Sequence, residues 1–170
     1  MSELNQNRII IGLEAHDGTG KTETCIELLN IFGGKHYQVG EQLQKERSKY
    51  YSLQGNENFT EKCRLLNETY RKESELIKTF DEDFIAMDRT WASHAAERYY
   101  EASEECNPPL EPPYQDSDWP KEILKPNITF QIILDPDEIR QERVIQRANE
   151  RGEKLSERDI KLNTDSNYRN

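Results

Sequence analysis

An α/β fold, with a parallel sheet covered by helices on both faces, follows from three features of this 170-residue chain. A short β-branched run, Ile9-Ile10-Ile11-Gly12-Leu13, passes through a glycine-rich turn into a helical pattern from Thr22 to Phe32. Two later strand candidates, Phe84-Ile85-Ala86-Met87 and Ile128 to Leu134, are each followed by a further helical pattern. The run at 84–87 suits a strand buried on both faces, and strands alternating with helices form a parallel sheet with ligands at its C-terminal edge.

The elements follow in order. Cys25, Ile26, Leu28, Leu29 and Phe32 recur at helical spacing, and Gly33-Gly34 ends that helix. Lys35 to Gly40 is a weaker strand candidate, and the charged stretch Glu41 to Leu53 reads as helix, with a break at Gly55-Asn56. Phe59, Cys63, Leu66, Tyr70, Leu76, Ile77 and Phe80 form an apolar stripe along a long helix from Glu57 to Phe80. After the turn Asp81-Glu82-Asp83 comes the strand at 84–87, then Asp88-Arg89 and a helix from Trp91 to Glu105. Residues 107–120 form a proline-rich acidic loop. Beyond the strand at 128–134, Asp135-Pro136-Asp137 opens a helix reaching about Asn149, since Pro and acids suit a helix start. Arg151-Gly152 breaks it, and Ser156 to Asp159 reads as the cap of a last helix. One domain spanning 1–170 is expected, with 147–158 as a candidate lid.

Composition narrows the function. A net charge of −10 argues against a nucleic-acid polymer as partner, because neutralising its phosphates needs a basic face. No run reaches membrane-spanning length, and the polar start is no signal peptide, so no membrane partner is expected. Cys25, Cys63 and Cys106 are odd in number and widely spaced, which predicts reduced thiols and a cytoplasmic setting. His16, His36 and His94 are scattered and suggest no metal cluster.

The chemistry gathers at the strand ends. Between the first strand and first helix lies Ala15-His16-Asp17-Gly18-Thr19-Gly20-Lys21-Thr22, a phosphate-binding loop with Ala where the pattern opens on Gly. Glycines let successive backbone N–H groups turn inward, and the helix start adds its own N–H groups and positive dipole end. Residues 17–22, namely Asp17, Gly18, Thr19, Gly20, Lys21 and Thr22, are therefore expected to hold a nucleotide. Lys21 supplies a catalytic charge at the β- and γ-phosphates, and the Thr22 hydroxyl ligates Mg²⁺. Asp88 ends the later strand beside that ion, as a metal-site and catalytic residue. Arg140, Arg143, Arg147 and Arg151 share one helix face at offsets of three and four. Carboxylate, metal and arginines together are what phosphoryl transfer requires. Read separately, Asp88-Arg89 also fits a local ion pair, and the stripe also fits a solvated face balanced by Glu138, Glu142 and Glu150.

Together these residues resemble the thymidylate kinase family of P-loop nucleoside monophosphate kinases. Glu14 to Thr22 is similar to its Glu-Gly-x-Asp-x-x-Gly-Lys-Ser/Thr loop. Asp88, Arg89, Ser93 and Ala96 match its Asp-Arg-Tyr-x-x-Ser-x-x-Ala segment, and Leu65-Leu66-Asn67-Glu68-Thr69-Tyr70-Arg71 looks like its Leu-Leu-Phe-x-x-x-Arg helix. The resemblance implies a P-loop NTP hydrolase fold of the nucleotide kinase type, apparently lacking the last strand and helix. It implies ATP and Mg²⁺ as cofactors and a small phosphate acceptor as partner. It places Arg89 on the acceptor phosphate, Arg71 on the base, and Asn67 and Ser93 in the same pocket. The catalytic arginine would come from the lid, as Arg147 or Arg151. The chain departs from the family in having Asn67 for a stacking Phe, Thr90 for Tyr, and no Arg-Glu-Pro segment after the second strand.

The leading expectation is thus ATP- and Mg²⁺-dependent phosphoryl transfer to a small acceptor, first of all a (deoxy)nucleoside monophosphate. Two alternatives stay open: a kinase for a nucleoside or other small hydroxyl acceptor, and a non-catalytic nucleotide-binding relative. A homodimer is among the assemblies left open.

Overall fold

The structure is a computed structural model and describes residues 8–38, 48–50, 52–53, 58–100, 102, 119–134, 136–155 and 160. In order these form β1 (Ile9–Glu14), α1 (Lys21–Phe32), β2 (Lys35–Gln38), α2 (Phe59–Lys78), β3 (Phe84–Asp88), α3 (Trp91–Tyr100), β4 (Ile128–Gln131) and α4 (Asp137–Arg151). Residues 48–50 and 52 are helical, as expected for that stretch. Most of the acidic loop (107–118) and the cap of the expected last helix (156–159) lie outside the described residues.

The described strands make one parallel sheet in the order β2-β3-β1-β4. Side-chain alternation along β1 and β3 divides the core between the two faces. Ile10, Ile85 and Met87 join Tyr37, Ile77 and Phe80 on one face, under α2. Ile11, Leu13, Phe84 and Ala86 join Cys25 on the other, under α1. All of β3 is buried, which is why its sequence shows no polar alternation. Gly34 allows the turn into β2, since a Cβ there would lie 2.1 Å from the Phe84 carbonyl oxygen. The Arg8 guanidinium donates to the Ile77 and Phe80 carbonyls and ties the start of β1 to the end of α2.

Only the fourth strand is shorter than its apolar run. Among the described strands β4 pairs with β1 alone, and the last register pair is Glu14 with Gln131. Beyond Glu14, β1 turns into the loop, so β4 loses its partner after one more bond, from Ile132 N–H to Glu14 carbonyl oxygen (2.8 Å). All four β4 residues are exposed, and Ile133 lies outside the strand. Among the described residues no helix is long and apolar enough to cross a membrane.

Candidate active site

The C-terminal ends of β1 and β3 lie side by side, with Leu13 opposite Asp88 in the register. Tight backbone geometry starts here. Gly12 has to lack a side chain, since a Cβ would fall 2.5 Å from Thr90 Cγ2. Gly18 and Gly20 take φ of 86° and 94°, a region costly for residues with a Cβ. Gly18 is also pressed by α4: its Cβ would sit 2.8 Å from both the Arg140 carbonyl oxygen and Val144 Cγ2. Among described non-glycine residues Arg89 alone has positive φ, so Ala15 adopts a backbone that any residue tolerates.

Lys21 opens α1 and folds back into this loop. Its ammonium is buried and donates to the carbonyl oxygens of Ala15 (3.0 Å) and His16 (3.2 Å), with Asp17 Oδ1 at 3.7 Å. Burial, then the neighbouring Arg89 charge, pull its pKa below the usual lysine value against Asp17, Asp88 and Glu14. One residue further on, the Thr22 hydroxyl donates to Asp88 Oδ2 at 2.7 Å. Two hard oxygen donors from separate elements thus meet under the glycine turn, a donor set that suits Mg²⁺. No cluster of three or more His, Cys, Asp or Glu fit to hold a metal occurs among the described residues. An ion here would therefore draw its remaining ligands from phosphate and water, as Mg²⁺ commonly does.

Arg89 reaches back from the end of β3. Its Nη2 donates to Asp17 Oδ1 at 2.5 Å, and its Nη1 lies 3.8 Å from Glu97 Oε1 on α3. Burial opposes its charge, but Asp17 and Glu97 outweigh it and hold the pKa above the ordinary arginine value. The backbone of this corner is set by Glu14, which the sequence shows only as part of the loop motif. Its Oε1 accepts the Thr90 N–H (2.7 Å) and the Thr90 hydroxyl, and its Oε2 accepts the Ser93 hydroxyl. Thr90 in turn caps α3 by accepting the Ala92 N–H at 3.2 Å, so Thr stands at this position as a helix N-cap. Burial raises the Glu14 carboxyl pKa, although the Thr90 bonds and the charges of Arg89 and Lys21 pull it down.

The remaining expected residues divide. Ser93 borders the site but its hydroxyl is directed to Glu14. Asn67 accepts from Trp91 Nε1 at 3.0 Å and so fixes an indole that packs on Trp119, with ring centroids 5.2 Å apart. Arg71 is exposed on α2, where its charge acts on Glu75. Within the arginine stripe, Arg140 is the member packed against the loop: it is 2% exposed, with Nη1 3.4 Å from the Asp17 carbonyl oxygen. Arg143 reaches towards Gly20, while Arg147 and Arg151 are exposed further along α4. Arg151 is the last helical residue before the left-handed cap Gly152. The three-and-four spacing identified the stripe, but which turn of it meets the loop depends on how α4 docks.

No protein-family model matches the chain, and neither does any curated protein sequence. Solved structures do match. Thymidylate kinase from Candida albicans superposes with a TM-score of 0.58 at 17% identity, covering 94% of this chain and 80% of its own. Thymidylate kinase from Ehrlichia chaffeensis gives 0.51 at 16%, covering 86% and 89%. Deoxyadenosine kinase from M. mycoides, solved with bound dATP, gives 0.53 at 16%, covering 95% and 82%. At such identities it is the fold that is shared: this chain has the α/β architecture of the P-loop nucleoside and nucleotide kinases.

Proposed function

We propose that this protein is a phosphotransferase that moves the γ-phosphoryl group of ATP, with Mg²⁺, to a small nucleoside- or nucleotide-like acceptor. The observation that carries the reading is the 2.7 Å bond between Thr22 and Asp88 under the loop that encloses Lys21. The fold it shares with thymidylate and deoxyadenosine kinases supports it. ATP with Mg²⁺ supplies an activated phosphoryl group and neutralises charge developing on it. The chain's residues do the rest by position and charge. Backbone N–H groups of residues 17–22 line the phosphates, and Lys21 exchanges its carbonyl contacts for phosphate oxygens. Thr22 and Asp88 orient the ion. Arg89, held by Asp17, faces the acceptor end of the same strand edge. Arg147 and Arg151 remain candidates for a lid that closes over the transferring group. A cytoplasmic setting belongs to this proposal.

The test is ADP formation from ATP and Mg²⁺ with a panel of nucleosides and nucleoside monophosphates. Turnover with any of them is expected, and Asp88→Asn should lower it with only partial recovery at high Mg²⁺. Nucleotide binding without turnover on the whole panel would instead favour a non-catalytic binding module.

A further inference from the structure

Helix α4 meets the phosphate loop through one arginine of its stripe. Arg140 is 2% exposed, and its Nη1 donates to the Asp17 carbonyl oxygen at 3.4 Å. The same residue also closes on Gly18, where a Cβ would lie 2.8 Å from the Arg140 carbonyl oxygen and 3.2 Å from its Cγ. Burying a guanidinium is costly unless its charge and hydrogen bonds are met, so a buried arginine marks a built contact rather than a solvated face. The group it holds belongs to the peptide joining Asp17 to Gly18. A trans peptide is planar and directs its C=O and N–H to opposite sides. With the Asp17 carbonyl turned to α4, the Gly18 N–H is turned away from that helix. The Asp17 carboxylate is held separately, by Arg89 Nη2 at 2.5 Å and Lys21 Nζ at 3.7 Å. Gly18 makes the peptide easy to turn over, since glycine takes both signs of φ, and here φ is 86°. An anion-binding loop needs successive N–H groups on its inner side, so one reversed peptide would put a carbonyl oxygen against the phosphates.

Building on the nucleotide site of the phosphotransferase reading above, we propose that Arg140 is a positioning residue for that nucleotide. By holding the Asp17 carbonyl against α4, it keeps the Gly18 N–H directed to the phosphates. Its effect runs through the peptide and needs no contact with the phosphate itself. The stripe then divides by depth: Arg140 sets the loop, whereas Arg147 and Arg151, exposed further along α4, remain the lid candidates.

The experiment compares wild type with Arg140→Met, which keeps an unbranched apolar stem and removes the guanidinium. Binding of the β,γ-imido analogue of ATP with Mg²⁺ is measured by calorimetry, and the Gly18 amide is followed by NMR. Kinetics are added for whichever acceptor the wild type turns over. Arg140→Met should raise the analogue Kd and the KM for ATP by about tenfold, as for the loss of one charge-assisted hydrogen bond. It should also shift the Gly18 amide peak of the free protein and leave the acceptor KM unchanged. An unchanged Kd in the folded variant overturns the proposal and leaves the phosphotransferase reading intact. So does a weakened Kd with an unmoved Gly18 peak, or an equal rise in the acceptor KM, because the loss would then not run through that peptide. If Arg140→Met does not fold, Arg140→Gln is read by the same criteria, and unfolding of both overturns the proposal by making Arg140 a stability residue. Binding of the analogue without turnover of any acceptor overturns the phosphotransferase reading alone, and the Kd and the Gly18 peak then decide the proposal. Absence of binding to the wild type overturns both.

Discussion

Replacing Gly18 by Ala tests whether α4 is docked on the phosphate loop as described. Two costs combine. At φ of 86° a Cβ meets its own backbone, at about 1–2 kcal/mol. The new methyl also falls 2.8 Å from the Arg140 carbonyl oxygen and 2.8 Å from Val144 Cγ2, too close for contact. The carbonyl belongs to the helix backbone and cannot rotate away, so overpacking adds about 1–3 kcal/mol. A total of about 2–5 kcal/mol is a large share of the 5–15 kcal/mol that stabilises a typical domain. Gly152→Ala is the control: its φ is 64°, yet nothing lies within 4 Å of the new Cβ, so only the backbone cost applies. Urea unfolding at constant m-value should place Gly18→Ala well below Gly152→Ala. If the clash is relieved by undocking α4 alone, amide exchange should accelerate along Asp137–Arg151. Equal midpoints and equal exchange in the two variants would refute the docked arrangement.

Three further outcomes are expected. Lys21→Ala should cut turnover by about 100-fold or more while far-UV circular dichroism stays unchanged, because among the described residues its ammonium contacts loop carbonyls and Asp17; undiminished turnover in the folded variant would remove the phosphate-loop reading. Glu14 is a carboxyl whose folded pKa is raised by burial, so its favourable contribution is greatest at low pH. That contribution is lost as pH rises from the ordinary carboxylate range through the raised folded value. Wild-type stability should therefore fall relative to Glu14→Gln over that window, and a pH-independent difference between them would contradict the buried carboxylate. The Cys25 thiol is pushed up to about 12, by burial first and then by the Asp88 charge, so iodoacetamide at pH 8 should leave it unmodified until the protein unfolds. Peptide mapping of alkylated native protein checks this, and rapid native labelling of Cys25 would count against its burial between α1 and the sheet.

Most of the fold and the loop end of the candidate site were legible in the sequence because they are local. Ile9–Leu13, the glycine loop and the stripe to Phe32 each declare their geometry within a few residues, and Asp88 announces itself by following an uninterrupted apolar run. Thr22 and Asp88 could be paired in advance because parallel strands bring their C-terminal ends to one edge. The strand candidate at 128–134 overstated its strand for a reason the chain does not carry locally: a strand extends only as far as its partner, and β1 ends at Glu14.

What the tertiary structure decided were contacts between residues far apart in the chain. Glu14 became the anchor of Thr90 and Ser93, 76 and 79 positions away. Asn67 met the Trp91 indole, and Arg89 was placed between Asp17 and Glu97. From periodicity the four arginines of α4 are equivalent; only docking against Gly18 buries Arg140 and leaves Arg147 and Arg151 outside. Helical spacing determines which side chains share a face, whereas the depth of each is set by the neighbour that face meets, and that neighbour is chosen by the packing of the whole sheet.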